Sequence, residues 1–146
     1  MVVIQSLSHH HPARPGGRRV VEIPMSAEDR RRVRRRIEAP DGAVFALELP
    51  TGTVLHPGQV LHELPDRLYV VGAAPEDVLL VRPRDWREAA RVAHMIGNLH
   101  REIDLQDEGI IVLWDPMLME RLRRAGIPAG RTHLPFRGNP PSEHKH

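Results

Sequence analysis

Two helix-start signals in the second half of this 146-residue chain constrain its fold more than any other feature. Asp85 stands before an apolar-periodic stretch, with Glu88 three positions on. That spacing lets a capping side chain and a returning carboxylate satisfy the first free amides of a helix. Asp115-Pro116 is the second signal: a capping carboxylate, then a proline at the first helical position, where no N–H is needed. The first helix is expected over 86–96, with Trp86, Ala89, Ala90, Ala93 and Ile96 inward and Gly97 as C-cap. The second turns Leu118, Leu122 and Ala125 inward and stops at Gly126. Strand-like runs occupy 77–82, 99–105, 109–114 and 132–136, the middle two joined across Gln106-Asp107-Glu108. The order strand, helix, strand, strand, helix, strand predicts a ferredoxin-like βαββαβ domain over 75–136.

The first half has a different punctuation. Short runs at 18–23, 33–38, 43–49, 60–64 and 68–73 alternate or cluster β-formers. Between them lie Pro40-Asp41-Gly42, Pro50-Thr51-Gly52, His56-Pro57-Gly58 and Pro65-Asp66. Asp-Gly between two strand-like runs signals a hairpin. Residues 18–74 therefore read as a small all-β domain, with Gly72-Ala73-Ala74-Pro75 as linker. The fold class is α+β, an N-terminal β domain followed by the ferredoxin-like one. Residues 1–17, with His9-His10-His11 and then Pro12, Pro15, Gly16 and Gly17, read as a flexible arm. Residues 137–146 read as a flexible tail ending in Glu143-His144-Lys145-His146.

Composition removes several function classes. The chain has no cysteine, which excludes disulfides, thiolate metal sites and a cysteine nucleophile. No apolar run approaches the roughly 20 residues of a membrane span, and no leader pattern opens the chain. A cytoplasmic protein without membrane partners is the expectation. Of the 21 basic residues all but Lys145 are arginine, against a net charge of only +2. Six arginines crowd between Arg30 and Arg36, which invites a nucleic-acid reading. No stacking aromatics accompany them, so a solvated loop entering a strand is the preferred account and nucleic acid is not expected as a partner. No Gly-x-Ser-x-Gly elbow, phosphate loop or His-Glu-x-x-His is present, and an enzyme is not expected.

Histidines are the remaining chemistry. His56 and His62 fall in the β half as surface or partly buried groups, His94 on a helix face, and His133 in the last strand. His100 differs because it follows a helix end, in Gly97-Asn98-Leu99-His100, where helix gives way to strand. A single histidine is more often structural than a ligand, and spacing alone does not decide.

The pattern as a whole resembles the UreE family, nickel metallochaperones of urease assembly. The resemblance rests on Arg34 to Glu38 with Asp41-Gly42 and Leu47-Glu48-Leu49-Pro50, then on Gly52-Thr53-Val54-Leu55-His56-Pro57-Gly58-Gln59-Val60-Leu61. Val81-Arg82-Pro83-Arg84-Asp85 and Gly97-Asn98-Leu99-His100 continue it, the last similar to the family's Gly-Asn-Arg-His. It spans roughly 18–136. It implies a peptide-binding type of β domain, a metal-binding C-terminal domain and a homodimer in which His100 meets its copy at the two-fold axis. His144 and His146 would complete the metal shell. The cargo would be Ni²⁺, with Zn²⁺ or Cu²⁺ as competitors, and the partners the GTPase UreG and the urease apoprotein–accessory protein complex. Two departures stand out. Leu99 replaces the usual arginine, and Pro116 occupies a place where many relatives carry a further histidine.

Overall fold

The computed structural model describes residues 1–7 and 15–138. Its contacts divide the chain between Ala74 and Pro75 into two compact units.

The first unit contains β1 (Val2–Ile4), β2 (Arg19–Met25), β3 (Arg34–Glu38), β4 (Val44–Glu48), β5 (Val60–Glu63) and β6 (Arg67–Ala73). They form two three-stranded sheets, β1-β4-β3 and β2-β6-β5. β3 and β4 run antiparallel across Asp41-Gly42, and Gly42 sits at φ +92°, a conformation that L side chains rarely adopt. The Asp41 carboxylate accepts from the Ala43 amide at 3.1 Å, closing the turn on itself. Alternation along β2 buries Val21, Ile23 and Met25 and leaves the residues between them exposed. These three share one core with Ile37, Phe45 and Leu47 of the other sheet. Asp41 also joins the sheets, accepting from the Tyr69 hydroxyl at 2.7 Å and from Arg67 at 3.0 Å.

Three expectations for this half of the chain differ from the structure. Residues 1–17 are not all an arm: β1 pairs in parallel with β4, and Ile4 and Leu7 are buried in the core. Val2-Val3-Ile4 is β-branched, and β4 has an open edge that three such residues can extend. His9, His10 and His11 lie outside the described residues. The arginine cluster is not one solvated loop either. Arg30 is only 4% exposed, and its guanidinium donates to the Met25 carbonyl at 2.7 Å. Arg35 pairs with Asp29 at 2.7 Å. The expected four-residue linker also shrinks, because Ala74 alone separates β6 from the next strand.

The second unit runs β7 (Pro75–Val81), α1 (Trp86–Asn98), β8 (Asp104–Gln106), β9 (Gly109–Leu113), α2 (Pro116–Arg124) and β10 (Ala129–Pro135). The sheet order is β10-β7-β9-β8, antiparallel throughout, which is the ferredoxin-like arrangement. Leu79 and Val81 of β7 and Ile110 and Val112 of β9 face the helices. There they meet Val92 and Ile96 of α1 and Leu118 and Leu122 of α2.

The inward stripe of α1 differs from expectation. Val92 is fully buried, whereas Trp86 is 74% exposed and Ala90 is exposed. Six residues at 100° each place Trp86 about 120° from Val92 around the helix, and the small alanines carry little information about phase. Ala125 is exposed because it is already the C-cap of α2; Ile127 fills the buried place beyond it. The run 99–105 is a strand only from Asp104, so His100 stands in a turn.

Leu122→Ala is expected to destabilise the protein by about 2–5 kcal/mol in denaturant unfolding, through lost burial and a residual cavity. Ala125→Ser should stay within about 0.5 kcal/mol of the native protein. A second expectation concerns pH. The Tyr69 hydroxyl, the Ala43 amide and Arg67 hold the Asp41 carboxyl below its ordinary value of 3.8. A depressed folded-state value adds stability above the unfolded-state value and loses it as pH falls through the folded one. Asp41→Asn should therefore lower the melting temperature at pH 7 and make little difference in strong acid. A penalty that is equal at both pH values would show that ionisation is not what holds this turn.

Candidate metal centre

The site is built from the two ends of α1. At its start the Asp85 carboxylate accepts from the Glu88 amide at 2.8 Å, and Glu88 returns to the Arg84 amide at 3.1 Å. Arg84 pairs with Glu88 at 2.7 Å and also donates to the Gly126 carbonyl at 3.0 Å, tying the start of α1 to the end of α2. A helix held this way has a fixed exit point.

At that exit the helix does not stop at Gly97. It continues to Asn98 with Leu99 as C-cap, and the chain reverses at His100, the one non-glycine residue with positive φ (+56°) among the described residues. The Arg101 amide reaches the Ile96 carbonyl at 3.3 Å, and the His100 amide reaches that of Gly97 at 3.0 Å. These two bonds make a Schellman motif with His100 in the position that glycine usually takes. Left-handed backbone costs an L-residue roughly 1–2 kcal/mol, although histidine tolerates it better than most. Strain of this kind persists where the side chain is needed or the surroundings over-determine it.

The imidazole is exposed. Arg101 next to it pairs with Asp115 at 3.1 Å. Asp115 in turn caps α2, accepting from the Met117 amide at 3.0 Å and the Leu118 amide at 3.4 Å. The His100 corner is thus fastened to the start of α2, and the cation at 101 is neutralised. Leu99 packs against the core of this unit. The last turn of α1 has no basic residue, and the negative end of the helix dipole favours a cation at this end. His94 lies one turn before Asn98, its Nε2 3.3 Å from the Asn98 side-chain Nδ2.

His100 is therefore placed where a ligand can use it. His56 and His62 belong to the first unit, and His133 to the second. His62 packs edge-on to Phe45 at 5.7 Å between ring centroids in the first unit, His56 closes a turn with Gln59, and His133 is exposed on β10 opposite Asp77. His144 and His146 lie outside the described residues. Among the described residues no three His, Cys, Asp or Glu side chains group closely enough to hold a metal ion. Reading the sequence missed the Arg101–Asp115 tie, for which the capping role of Asp115 was the only available signal. It also missed Met117, 73% exposed one position past Pro116 in the first turn of α2.

The family model for the N-terminal domain of the UreE urease accessory protein matches residues 3–74, and that for its C-terminal domain matches 76–146. The chain belongs to the UreE family. The match from residue 3 agrees with β1 being part of the first unit. The urease accessory protein UreE of Synechococcus sp. (strain JA-3-3Ab) is 51% identical over 132 residues, 90% of this chain and 89% of that one. That of Deinococcus radiodurans is 52% identical over 126 residues, 86% and 81% of the two chains. The UreE of Burkholderia orbicola is 41% identical over 95 residues, 65% of this chain and 47% of that one. The family is one of accessory proteins to urease, not of enzymes by name.

His100→Gly separates the two accounts of this corner. If the imidazole serves a ligand rather than the fold, the substitution should leave stability unchanged or raise it by up to about 1 kcal/mol, strain relief being partly offset by unfolded-chain entropy. Denaturant unfolding of the two proteins checks this; a marked loss of stability would assign the side chain a structural role.

Proposed function

We propose that this chain is a nickel metallochaperone that binds Ni²⁺ between two protomers and delivers it for assembly of the urease metal centre. The observation that carries the reading is the exposed imidazole of His100 in a strained left-handed turn at the negative end of α1. Neutral imidazole suits Ni²⁺, Cu²⁺ and Zn²⁺ alike, and a chain without cysteine offers no thiolate to favour softer ions. The donor type therefore fits nickel, with Zn²⁺ and Cu²⁺ as competitors.

One His100 per chain supplies one ligand, so the site needs a second copy. The homodimer would bring two imidazoles to one ion, and His144 and His146 would complete its shell. Such a site suits a carrier, because separating or loosening the ligands frees the metal without unfolding a domain. Delivery would run in the cytoplasm through the GTPase UreG and the urease apoprotein–accessory protein complex. Among the described residues no helix is long and apolar enough to cross a membrane.

Calorimetric titration of Ni²⁺, with mass measured by light scattering, tests the reading. The native protein should take up its tightest ion at about one per two chains, and His100→Ala should lose that ion while keeping its fold and mass. Equal binding by both proteins, or a tight ion per stable monomer, would overturn it.

A further inference from the structure

The outer face of α1 carries groups that neither the core nor the metal centre uses. Val92 and Ile96 turn inward, while Trp86, Arg87, Ala90, Arg91 and His94 are exposed. Trp86 is 74% exposed, and the Arg87 guanidinium lies over its ring, 5.4 Å from the centroid. Arg87 and Arg91 stand one turn apart, a spacing that puts two side chains on the same side of a helix. Neither makes an ion pair among the described residues.

The acids nearby are already engaged. Glu88 is the one carboxylate within α1; it is held by Arg84 at 2.7 Å, and its side chain is only 15% exposed. Asp85 is spent on the Glu88 amide as the helix cap. The Arg84 bond to the Gly126 carbonyl brings the end of α2 beside the start of α1. There Glu120 serves both Arg123 and Arg124 at 3.2 Å, and Arg121 in the same turn has no ion pair among the described residues. The outer face of α1 therefore combines an open indole with two uncompensated guanidinium groups.

These groups discriminate between occupants. A second copy of the same face would set arginine towards arginine with no exposed α1 acid to offset them, and like charges across an interface repel. Affinity for nucleic acid grows with the number of phosphates neutralised, and two free cations neutralise few. Tryptophan and arginine are the residues most enriched where protein interfaces concentrate their binding energy. A guanidinium also matches a carboxylate with two parallel hydrogen bonds. We infer that the outer face of α1 is a docking surface for an acidic segment of another protein, which seats an apolar group against the Trp86 indole and sets carboxylates on Arg87 and Arg91. The inference goes beyond the carrier reading and does not rest on it. α1 is about 20 Å long, so a segment lying along it runs from Trp86 towards the end that carries His100.

The test is a ¹H–¹⁵N NMR titration of the full-length protein with a synthetic helical peptide that bears glutamates four residues apart and leucines beside them. The peptide is expected to shift the Trp86 indole signal and the amides from Trp86 to His94. The indole of Trp114, which stacks under Arg131 elsewhere in the unit, should stay in place. Trp86→Ala should weaken binding about five-fold or more, the scale of losing an interface anchor. Arg87→Glu/Arg91→Glu should abolish it, and a peptide with lysine in place of glutamate should not bind. Arg34→Glu/Arg36→Glu, which reverses two exposed arginines of β3, should bind as the native protein does. All the replaced side chains are exposed, and unchanged core signals from Val81 and Leu122 verify that each variant is folded. Absence of shifts on α1, or an equal loss in the β3 variant, would overturn the inference. So would tighter binding of a single-stranded DNA oligonucleotide to the same residues, which would make the face a nucleic-acid site. A halved mass of Trp86→Ala in light scattering would overturn it too, by assigning the face to the contact between protomers. No nickel enters this titration, so its outcome is independent of whether His100 holds the ion.

Discussion

Both helices of the second unit close with the same backbone device, and the rest of the site depends on how the first of them does so. At the end of α2 the Ile127 amide returns to the Leu122 carbonyl at 3.0 Å and the Gly126 amide to that of Arg123 at 3.1 Å, with Gly126 at φ +71°. At the end of α1 the equivalent bonds close around His100 at φ +56°. Glycine is the unstrained occupant of that place. An imidazole there lies past the last carbonyls of the helix, out of the core and facing water. Were α1 to end at Gly97, the same side chain would lie on a strand and be directed by the pleat instead.

Beyond the reversal, charge pairing and packing fix the path of the chain. Arg101 is held by Asp115, and Asp115 is held by the amides of α2, so the loop after His100 and the helix that begins near it form one polar unit. Leu99 turns into the core on the other side of the corner. At this position an apolar side chain anchors the turn, and Arg101, next to the exposed imidazole, is paired with Asp115. Pro116 begins α2 directly behind the Asp115 cap.

The parts of this architecture written in local chemistry were legible. Caps at Asp85 and Asp115, the Asp41-Gly42 hairpin and the apolar periods of β7 and β9 act within a few residues, and they led to the domain order; His100 as candidate ligand came from the resemblance to the UreE family. The helix end was misplaced because Gly97 looked like the natural stop, and only tertiary packing of Leu99 and the Arg101 tie carry the helix further. β1 and β8 were missed or overextended for another reason. Three-residue strands have almost no periodicity of their own, and their existence depends on an open edge elsewhere in the chain. Arg30 read as a surface charge because its partner, the Met25 carbonyl, is presented only once the domain has folded. Asp104 is the clearest case, since nothing near it in sequence announces that a backbone amide 33 residues on will reach it.

These long-range contacts bear on how a carrier differs from a store. A preformed cage of three or four ligands on one chain binds tightly and releases slowly. Among the described residues this chain assembles no such cage. On the reading proposed, each remaining ligand comes from a second chain or from the segment beyond Gly138, so each contributes only while it is held near the ion. Occupancy then depends on protomer concentration and on the tail's effective concentration, because whatever binds only the assembled form stabilises it by mass action. On that reading a partner that separates the two protomers would lower affinity and leave the helices and sheet intact. The left-handed backbone at His100 fits that division: on the proposed reading the fold would hold one imidazole out in solvent, and assembly would supply the rest.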